Sequence, residues 1–148
     1  VLLFGGAMSL GFCLWQTGAA EWLAFGWLGY LQSTTWFVFI LGVTVLVLVM
    51  TNFIMNVAAI AVTLPVALIM APHIGVHPEV IMFASLAAAG MPLMLLVGAA
   101  PNAIAFESHM FKSKEFFLYG IPASVMLLVV IGLFVWKIWP WMGMPVLL

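Results

Sequence analysis

The most constraining feature of the sequence is the near absence of charge from its apolar stretches. No Asp, Glu, Lys or Arg lies between Glu21 and Glu79, and the chain of 148 residues is 68% hydrophobic and 5% charged. A soluble domain carries roughly 25% charged residues, so this chain has too few to cover its surface in water. Lipid must be its solvent, and helices satisfy their own backbone hydrogen bonds there. The sequence therefore predicts an all-α integral membrane protein.

Charge and motif content exclude several functional classes. The net charge is −1 at pH 7, with three basic residues in the whole chain, and no basic patch for nucleic acid is present. The sequence contains no nucleophile–base pattern, phosphate-binding glycine loop or HExxH motif. His73 and His77 lack further ligands at the spacing of a metal site. We therefore predict no enzyme activity, no catalytic residue and no cofactor.

The chain begins inside an apolar run with no charged region before it, so we expect it to be part of a longer polytopic protein. Trp22, Trp27 and Tyr30 are typical of a segment at the membrane surface. We expect the end of a transmembrane helix at 1–16, an interfacial segment at 17–35 and a transmembrane helix at 36–50. A re-entrant hairpin region at 51–72, a broken transmembrane helix at 79–106 and a last transmembrane helix at 116–139 should follow.

The first expected helix break follows from length. Residues 36–71 as one helix would be about 54 Å long, whereas the hydrocarbon core is about 30 Å thick. Polar residues interrupt the apolar run at Thr51, Asn52 and Asn56, so two helices should meet near Asn56. The second would be too short to span comfortably, which is typical of a re-entrant hairpin buried in protein or lining a cavity.

The second expected break lies at residues 98–102, with the sequence GAAPN. Pro101 has no backbone donor and disfavours a helical conformation at Ala100. We expect an unwound, or discontinuous, transmembrane helix here.

Two successive breaks in apolar segments indicate a secondary transporter. Broken helices expose carbonyls that hold cations and helix N-termini that face anions. Asn56 and Asn102 each lie beside a break, and an amide can coordinate Na⁺ or donate to a carboxylate. The alternative is that these residues only cap helices or bond between them, and that Thr51 bonds back to its own helix. Asn52 and Asn56 would share a helix face if the helix extends that far.

Three stretches resemble the divalent anion:sodium symporter family, which belongs to a wider ion-transporter superfamily. Residues 2–7, LLFGGA, are similar to its LLFGGG-like helix. Residues 51–58, TNFIMNVA, are similar to its TEFxSNTA stretch and are followed by Leu64-Pro65. Residues 97–106, VGAAPNAIAF, are similar to its VATPPNAIxF stretch. The resemblance covers nearly the whole chain and places it in the C-terminal half of such a transporter.

The resemblance implies a re-entrant hairpin and an unwound helix that together form half of a sodium and substrate site. By position, the sodium ligands would be Thr51, Ile54, Asn56 and Gly98, with Ile54 and Gly98 acting through their carbonyls. The substrate contacts would be Asn56, Val57, Ala99 and Ala100, to which the second break adds Asn102. The resemblance further implies a homodimer, elevator-type motion, and a second site in an N-terminal half.

The sequence departs from the family pattern at hydroxyl positions. Met55 and Val57 flank the key Asn56 where the family has Ser and Thr, and Ala99-Ala100 replaces Thr-Pro. These changes favour a less charged substrate, or H⁺ in place of Na⁺. We predict a Na⁺-coupled transporter of a small anion, a di- or tricarboxylate or an inorganic divalent anion, in a bacterial or archaeal plasma membrane. The alternatives are an H⁺-coupled permease, an antiporter or arsenite-type permease, and a non-transporting membrane subunit.

Overall fold

The computed structural model describes residues 9, 13, 16–31, 34–54, 56–109 and 111–147, without the side chains of residues 20, 21, 23, 24, 97 and 100. Regular secondary structure in these ranges is helical, as the composition predicts. Most of the expected helix end at 1–16, including the LLFGGA stretch, lies outside the described residues, as does Met55.

The helices of the described part follow one another with short connections. They are α1 (Ala19–Leu31), α2 (Trp36–Phe53), α3 (Asn56–Met70), α4 (Pro78–Ala89), α5 (Ala100–Glu107) and α6 (Ser113–Leu133). Single 3₁₀ turns at Pro72–Ile74 and Leu96–Gly98 precede α4 and α5, and α6 continues through a π-helical turn, Phe134–Ile138, into Trp139–Trp141.

Two helical stretches of the described part are long and apolar enough to cross a membrane, α2 and Ser113–Trp141. At 18 residues, α2 is about 27 Å long, close to the thickness of the hydrocarbon core. It extends the expected 36–50 segment by three residues, and Ser113–Trp141 contains the expected 116–139 segment. The helices α3 and α4 are shorter, at 15 and 12 residues. The interfacial position of 17–35, which includes α1, stays a prediction.

The apolar core forms where α2, α3 and α4 pack against one another. Ten of the 18 residues of α2 are buried, and α4 buries another set. The most deeply buried apolar side chains of the two helices include Phe39, Ile40, Val43, Val47, Val80, Ile81, Ala84 and Ala88. Because these helices are apolar on all sides, the sequence pattern does not show which faces meet. The C-terminal end of α2 contacts the segment that follows α4, where Asn52 bonds to the N–H groups of Met94 and Leu95.

The first helix break lies where the sequence predicts it. At Ile54 the backbone becomes extended (φ −122°, ψ 163°), although the Ile54 N–H still donates to the Met50 carbonyl at 2.9 Å. A new helix begins at Asn56. Because α2 ends at Phe53, Asn52 and Asn56 do not share the face of one helix, which an unbroken helix would have given them. The re-entrant position of α2 and α3 in a membrane stays a prediction.

The second break is longer than the predicted range of 98–102 and begins at Gly90, which with Pro92 also interrupts the apolar stretch in the sequence. The chain leaves α4 at Gly90, passes through the 3₁₀ turn and is extended at Ala99 (φ −148°, ψ 147°). It becomes helical again at Ala100. The expectation that Ala100 to Asn102 are non-helical is therefore wrong. Pro101 lies in the first turn of α5, where its missing N–H would have no helical partner anyway.

The C-terminal segment returns to the start of α4. The His77 N–H donates to the Val146 carbonyl at 2.9 Å, and Val76 and Leu147 form an antiparallel bridge. The Val76 side chain is fully buried beneath this segment. The contact holds the end of the chain beside the loop between α3 and α4.

Candidate functional site

The two helix breaks are in direct contact, and we call residues 51–56 and 90–102 the junction. A β-carbon on Gly98 would lie 3.0 Å from the backbone oxygen of Thr51 and 3.2 Å from the Cα of Asn52. It would also lie 2.7 Å from the Cβ of Pro92. These distances are closer than a side chain allows, so only glycine fits at position 98 without a shift. The sequence predicts both breaks, and the packing brings them together.

Asn52 links the end of α2 to the second break. Its side-chain oxygen accepts hydrogen bonds from the backbone N–H groups of Met94 (3.0 Å) and Leu95 (2.9 Å). Its side-chain nitrogen donates to the Leu48 carbonyl at 2.6 Å. The side chain is 2% exposed, so these bonds replace water for two amides that have left α4. Without a partner, each amide would be costly at membrane depth.

Asn102 binds the same segment from the other side. Its side-chain nitrogen donates to the Pro92 carbonyl at 2.8 Å and, at a longer 3.5 Å, to the Leu95 carbonyl. Asn52 thus satisfies the N–H groups of Met94 and Leu95, and Asn102 donates to the carbonyls of Pro92 and Leu95. Two side-chain amides replace the hydrogen bonds that a continuous helix would have made.

Thr51 is buried in the last turn of α2. Its hydroxyl donates to the Leu48 carbonyl at 3.0 Å, which is the local bond that threonine makes readily in a membrane helix. The hydroxyl oxygen keeps lone pairs that can accept or coordinate. Its backbone carbonyl lies in the last turn of α2, where carbonyls have no intrahelical partner, and the Ile54 carbonyl lies directly after the helix end.

Asn56 presents the most informative atom of the junction. Its side-chain oxygen is buried and accepts no hydrogen bond from any described residue. Buried polar atoms in native proteins are nearly always paired, and an exception requires an explanation such as an ion. Asn56 is also the first residue of α3, so this oxygen lies at the break itself.

The remaining predicted contacts surround the start of α3 and α5. Val57 is 73% exposed. Ala99 is half-buried with an extended backbone, and the helix starts at Ala100, whose side chain is outside the described residues. Both α3 and α5 therefore begin at the junction, and the N-terminus of a helix carries partial positive charge and free N–H groups.

The junction carries no titratable side chain of its own. Neither 51–57 nor 90–102 contains Asp, Glu, Lys, Arg or His, and the described residues hold no group of three His, Cys, Asp or Glu placed for a metal. The available chemistry is that of neutral oxygens and backbone amides. Such a site can coordinate a hard monovalent cation or an anion, and these segments offer no group for acid–base catalysis.

Comparison with known proteins identifies the family. The family described as the sodium:sulfate symporter transmembrane region matches residues 1–145 of the chain. The chain belongs to the sodium:sulfate symporter family. This confirms the resemblance drawn from the residues at the two breaks, and with it the location in a membrane as part of a multi-pass protein.

Curated relatives of this chain carry transporter names. The sodium-dependent dicarboxylate transporter SdcS of Staphylococcus saprophyticus is 31% identical over 140 residues, or 95% of this chain and 27% of the relative. The SdcS protein of Staphylococcus aureus strain MRSA252 gives the same identity and coverage. An uncharacterized transporter of Methanocaldococcus jannaschii is 29% identical over 134 residues, or 90% of this chain and 30% of the relative. The chain spans less than a third of the length of these relatives.

Sequence reasoning about the candidate site did not predict that Asn52 bonds to the segment from Pro92 to Leu95. Both belong to the junction, because Asn52 and its two backbone partners are bonded across the breaks. The available signal was an amide side chain at the end of an otherwise apolar helix, where a buried polar group needs a partner. The partner itself lies 42 and 43 residues further along the chain.

Proposed function

We propose that the protein is a secondary active transporter that moves a small anion with Na⁺ by alternating access. The observation that carries this proposal is the buried side-chain oxygen of Asn56, which has no hydrogen-bond partner among the described residues and lies at the first of two breaks that contact each other. Broken helices at such contacts are where secondary transporters bind ions and solutes. The names of the relatives support sodium coupling and an anionic solute.

The proposed cation site consists of oxygen atoms from both breaks. It comprises the Thr51 side chain, the Ile54 carbonyl, the Asn56 side-chain oxygen and the Gly98 carbonyl. The close approach of Gly98 to the backbone of Thr51 supports this set, because oxygens from two breaks in contact could bind one ion. Neutral oxygens suit Na⁺, and a bound Na⁺ would give the Asn56 side-chain oxygen the partner that it lacks among the described residues.

The proposed solute contacts lie beside the cation site. They are Asn56, Val57, Ala99, Ala100 and Asn102. The starts of α3 and α5 support an anion here, because free N–H groups and the helix dipoles favour negative charge. The solute class is a dicarboxylate, a tricarboxylate or an inorganic divalent anion, bound with fewer side-chain hydroxyls than the family pattern supplies.

Several further features belong to the same proposal. The helices α2 and α3 would form a re-entrant hairpin, and α4 and α5 the two parts of an unwound transmembrane helix. The chain would pair with an N-terminal half that completes the site, and the whole protein would work as a homodimer with elevator-type motion. The short lengths of α3, α4 and α5 support the first two of these assignments, since none is long enough to cross a bilayer alone.

Na⁺ is favoured over H⁺ as the coupling ion by the composition of the junction. Proton coupling needs a group that titrates near the pathway, and residues 51–57 and 90–102 contain none. The same argument disfavours an antiporter with a buried carboxylate. An H⁺-coupled or arsenite-type permease is the second candidate within transport, and it would need its titratable group elsewhere in the protein.

The test is uptake of radiolabelled succinate, citrate and sulfate into proteoliposomes that hold the full-length protein. Each solute is offered with an inward Na⁺ gradient and then with an inward H⁺ gradient. The variant Asn56→Ala removes the orphaned oxygen, and Thr44→Val is the matched control because the buried Thr44 hydroxyl bonds only within α2, to Ile40, as far as its described contacts show. We expect Na⁺-driven uptake that Asn56→Ala abolishes and Thr44→Val retains. Uptake driven by H⁺ alone, or none with folded protein, would overturn the proposal.

A further inference from the structure

We propose that Asn52 is a positioning residue that sets the affinity of the cation site by fixing the second break against the end of α2. This inference rests on the proposed function, because it concerns the site that Thr51, Ile54, Asn56 and Gly98 would form. Asn52 itself is not a ligand, because both ends of its side-chain amide are engaged by the protein.

The side-chain amide of Asn52 is held at both ends by the protein. The Asn52 oxygen accepts from two consecutive N–H groups, those of Met94 and Leu95, at 3.0 and 2.9 Å. Its nitrogen donates to Leu48 at 2.6 Å, one turn back in α2. The side chain therefore cannot turn without breaking three hydrogen bonds in a buried site. It acts as a rigid bridge between a helix end and a non-helical segment.

Asn52 lies beside two of the proposed ligands, Thr51 and Gly98. Asn52 directly follows Thr51, and its own Cα lies 3.2 Å from a β-carbon placed on Gly98. Leu95 begins the turn that leads to Gly98, whose N–H donates to the Leu95 carbonyl at 3.3 Å. Fixing Leu95 thus fixes the Gly98 carbonyl relative to Thr51. These two residues supply oxygens to one ion from the two separate breaks.

Asn52 and Asn102 bond to different backbone groups of the second break. Asn102 supports the carbonyls of Pro92 and Leu95 from α5, on the solute side of the second break. Asn52 supports the N–H groups from α2, on the cation side. Loss of the Asn52 bridge should therefore change the cation site first and the solute contacts second, because Asn102 still holds the segment to α5.

The test separates Na⁺ activation from solute binding in the full-length protein reconstituted in proteoliposomes. Asn52→Leu keeps the shape but removes the acceptor, whereas Asn52→Asp keeps an oxygen for Met94 and Leu95. Thr44→Val is the control for loss of a buried polar group in α2 away from the junction. The readouts are the Na⁺ concentration for half-maximal uptake at saturating solute, the solute KM at saturating Na⁺, and the maximal rate.

We expect Asn52→Leu to raise the half-maximal Na⁺ concentration at least ten-fold while the solute KM at saturating Na⁺ changes less than three-fold. Asn52→Asp should restore Na⁺ activation to within about three-fold of the wild type, and Thr44→Val should match the wild type. If folded Asn52→Leu keeps the wild-type Na⁺ dependence, or if Asn52→Asp is no better than Asn52→Leu, the inference is overturned. A wild type whose uptake does not depend on Na⁺ overturns the proposed function as well.

Amide hydrogen exchange in the wild type tests the bridge even if Asn52→Leu does not fold. The N–H groups of Met94 and Leu95 should exchange slowly and become more protected when Na⁺ is added, with choline as the matched cation. Exchange of both amides at the rate of an unprotected chain in saturating Na⁺ would overturn the inference. An equal response to Na⁺ and choline would also count against it, because a bridge at the cation site must respond to the ion.

Discussion

The backbone oxygen of Thr51 lies 3.0 Å from the position that a β-carbon on Gly98 would occupy. This close approach joins the two breaks through residues that are 47 positions apart in the chain. It also explains why residue 98 is glycine, since the same β-carbon would meet Pro92 at 2.7 Å. The backbone of both breaks, more than their side chains, therefore shapes the proposed cation site.

Gly98→Ala should weaken Na⁺ activation. The added methyl group must push the second break away from Thr51, and overpacking of this kind costs roughly 1–3 kcal/mol. If the strain falls on the ion site, the Na⁺ concentration for half-maximal uptake should rise about ten-fold, since 1.4 kcal/mol corresponds to a factor of ten. Gly29→Ala in α1 is the control, because nothing lies within 4 Å of its added β-carbon. Equal Na⁺ dependence of the two variants would contradict the expectation.

The positions of the two breaks were predictable because local residues encode them. Asn56 interrupts an apolar run that is too long for one span, and Pro101 with Gly98 interrupts the next. These signals act within a few residues, so a single sequence reveals them. These signals were less accurate about where the second break begins and ends. It starts at Gly90, and Pro101 lies in the first turn of a helix.

The contacts across the junction could not be predicted in the same way. Asn52 meets Met94 and Leu95 because α2 packs on α4 in one particular register. Helices that are apolar on every side give no periodic signal for that register. Likewise, the burial of Asn56 follows from tertiary packing, whereas its place at a break follows from sequence alone.

Gly120→Ala should destabilise the protein through the second break. A β-carbon on Gly120 would overlap the Leu93 carbonyl and approach the Cα of Met94 to 3.0 Å, so α6 must move away from the segment that Asn52 holds. We expect a loss of roughly 1–3 kcal/mol in the free energy of unfolding. Thermal unfolding in detergent, followed by the emission of the tryptophans, measures this as a lower midpoint temperature.

Gly132→Ala is the matched control in the same helix. Its β-carbon would make ordinary contacts of 3.6 Å with Phe37 and 3.7 Å with Leu41. Replacing a helical glycine by alanine where space allows favours the folded state by roughly 0.4–1 kcal/mol. We therefore expect an unchanged or higher midpoint for Gly132→Ala. A midpoint that falls as far as in Gly120→Ala would show that α6 tolerates no substitution, and that Leu93 is not the cause.

Asn102→Leu should loosen the second break. It removes the donor to the Pro92 carbonyl and leaves a partly buried acceptor without its partner, at a cost of roughly 1–3 kcal/mol. We expect faster amide hydrogen exchange in residues 92–98 and a higher solute KM. Ser108→Ala is the control. It removes an exposed hydroxyl that donates to the Ala105 carbonyl, six residues after Asn102 and outside the second break. Unchanged exchange in 92–98 would contradict the structural role of Asn102.

Val57→Thr should strengthen binding of a dicarboxylate. Val57 is 73% exposed directly after Asn56, at a position where the family pattern has a hydroxyl residue, so a threonine could reach a bound carboxylate. A hydrogen bond to a charged group contributes roughly 1.5–3 kcal/mol, which corresponds to at least a ten-fold lower KM. Succinate uptake at saturating Na⁺ measures the change, and the half-maximal Na⁺ concentration should stay the same.

Val38→Thr is the matched control for the added hydroxyl. Val38 is 47% exposed near the start of α2, at the opposite end of that helix from Thr51 and Asn52, so its hydroxyl cannot meet a solute at the junction. A lower succinate KM in Val57→Thr alone would place the solute beside Asn56. A lower KM in both variants would point to a general effect on folding or insertion. No change in either would mean that the solute contacts lie away from the start of α3.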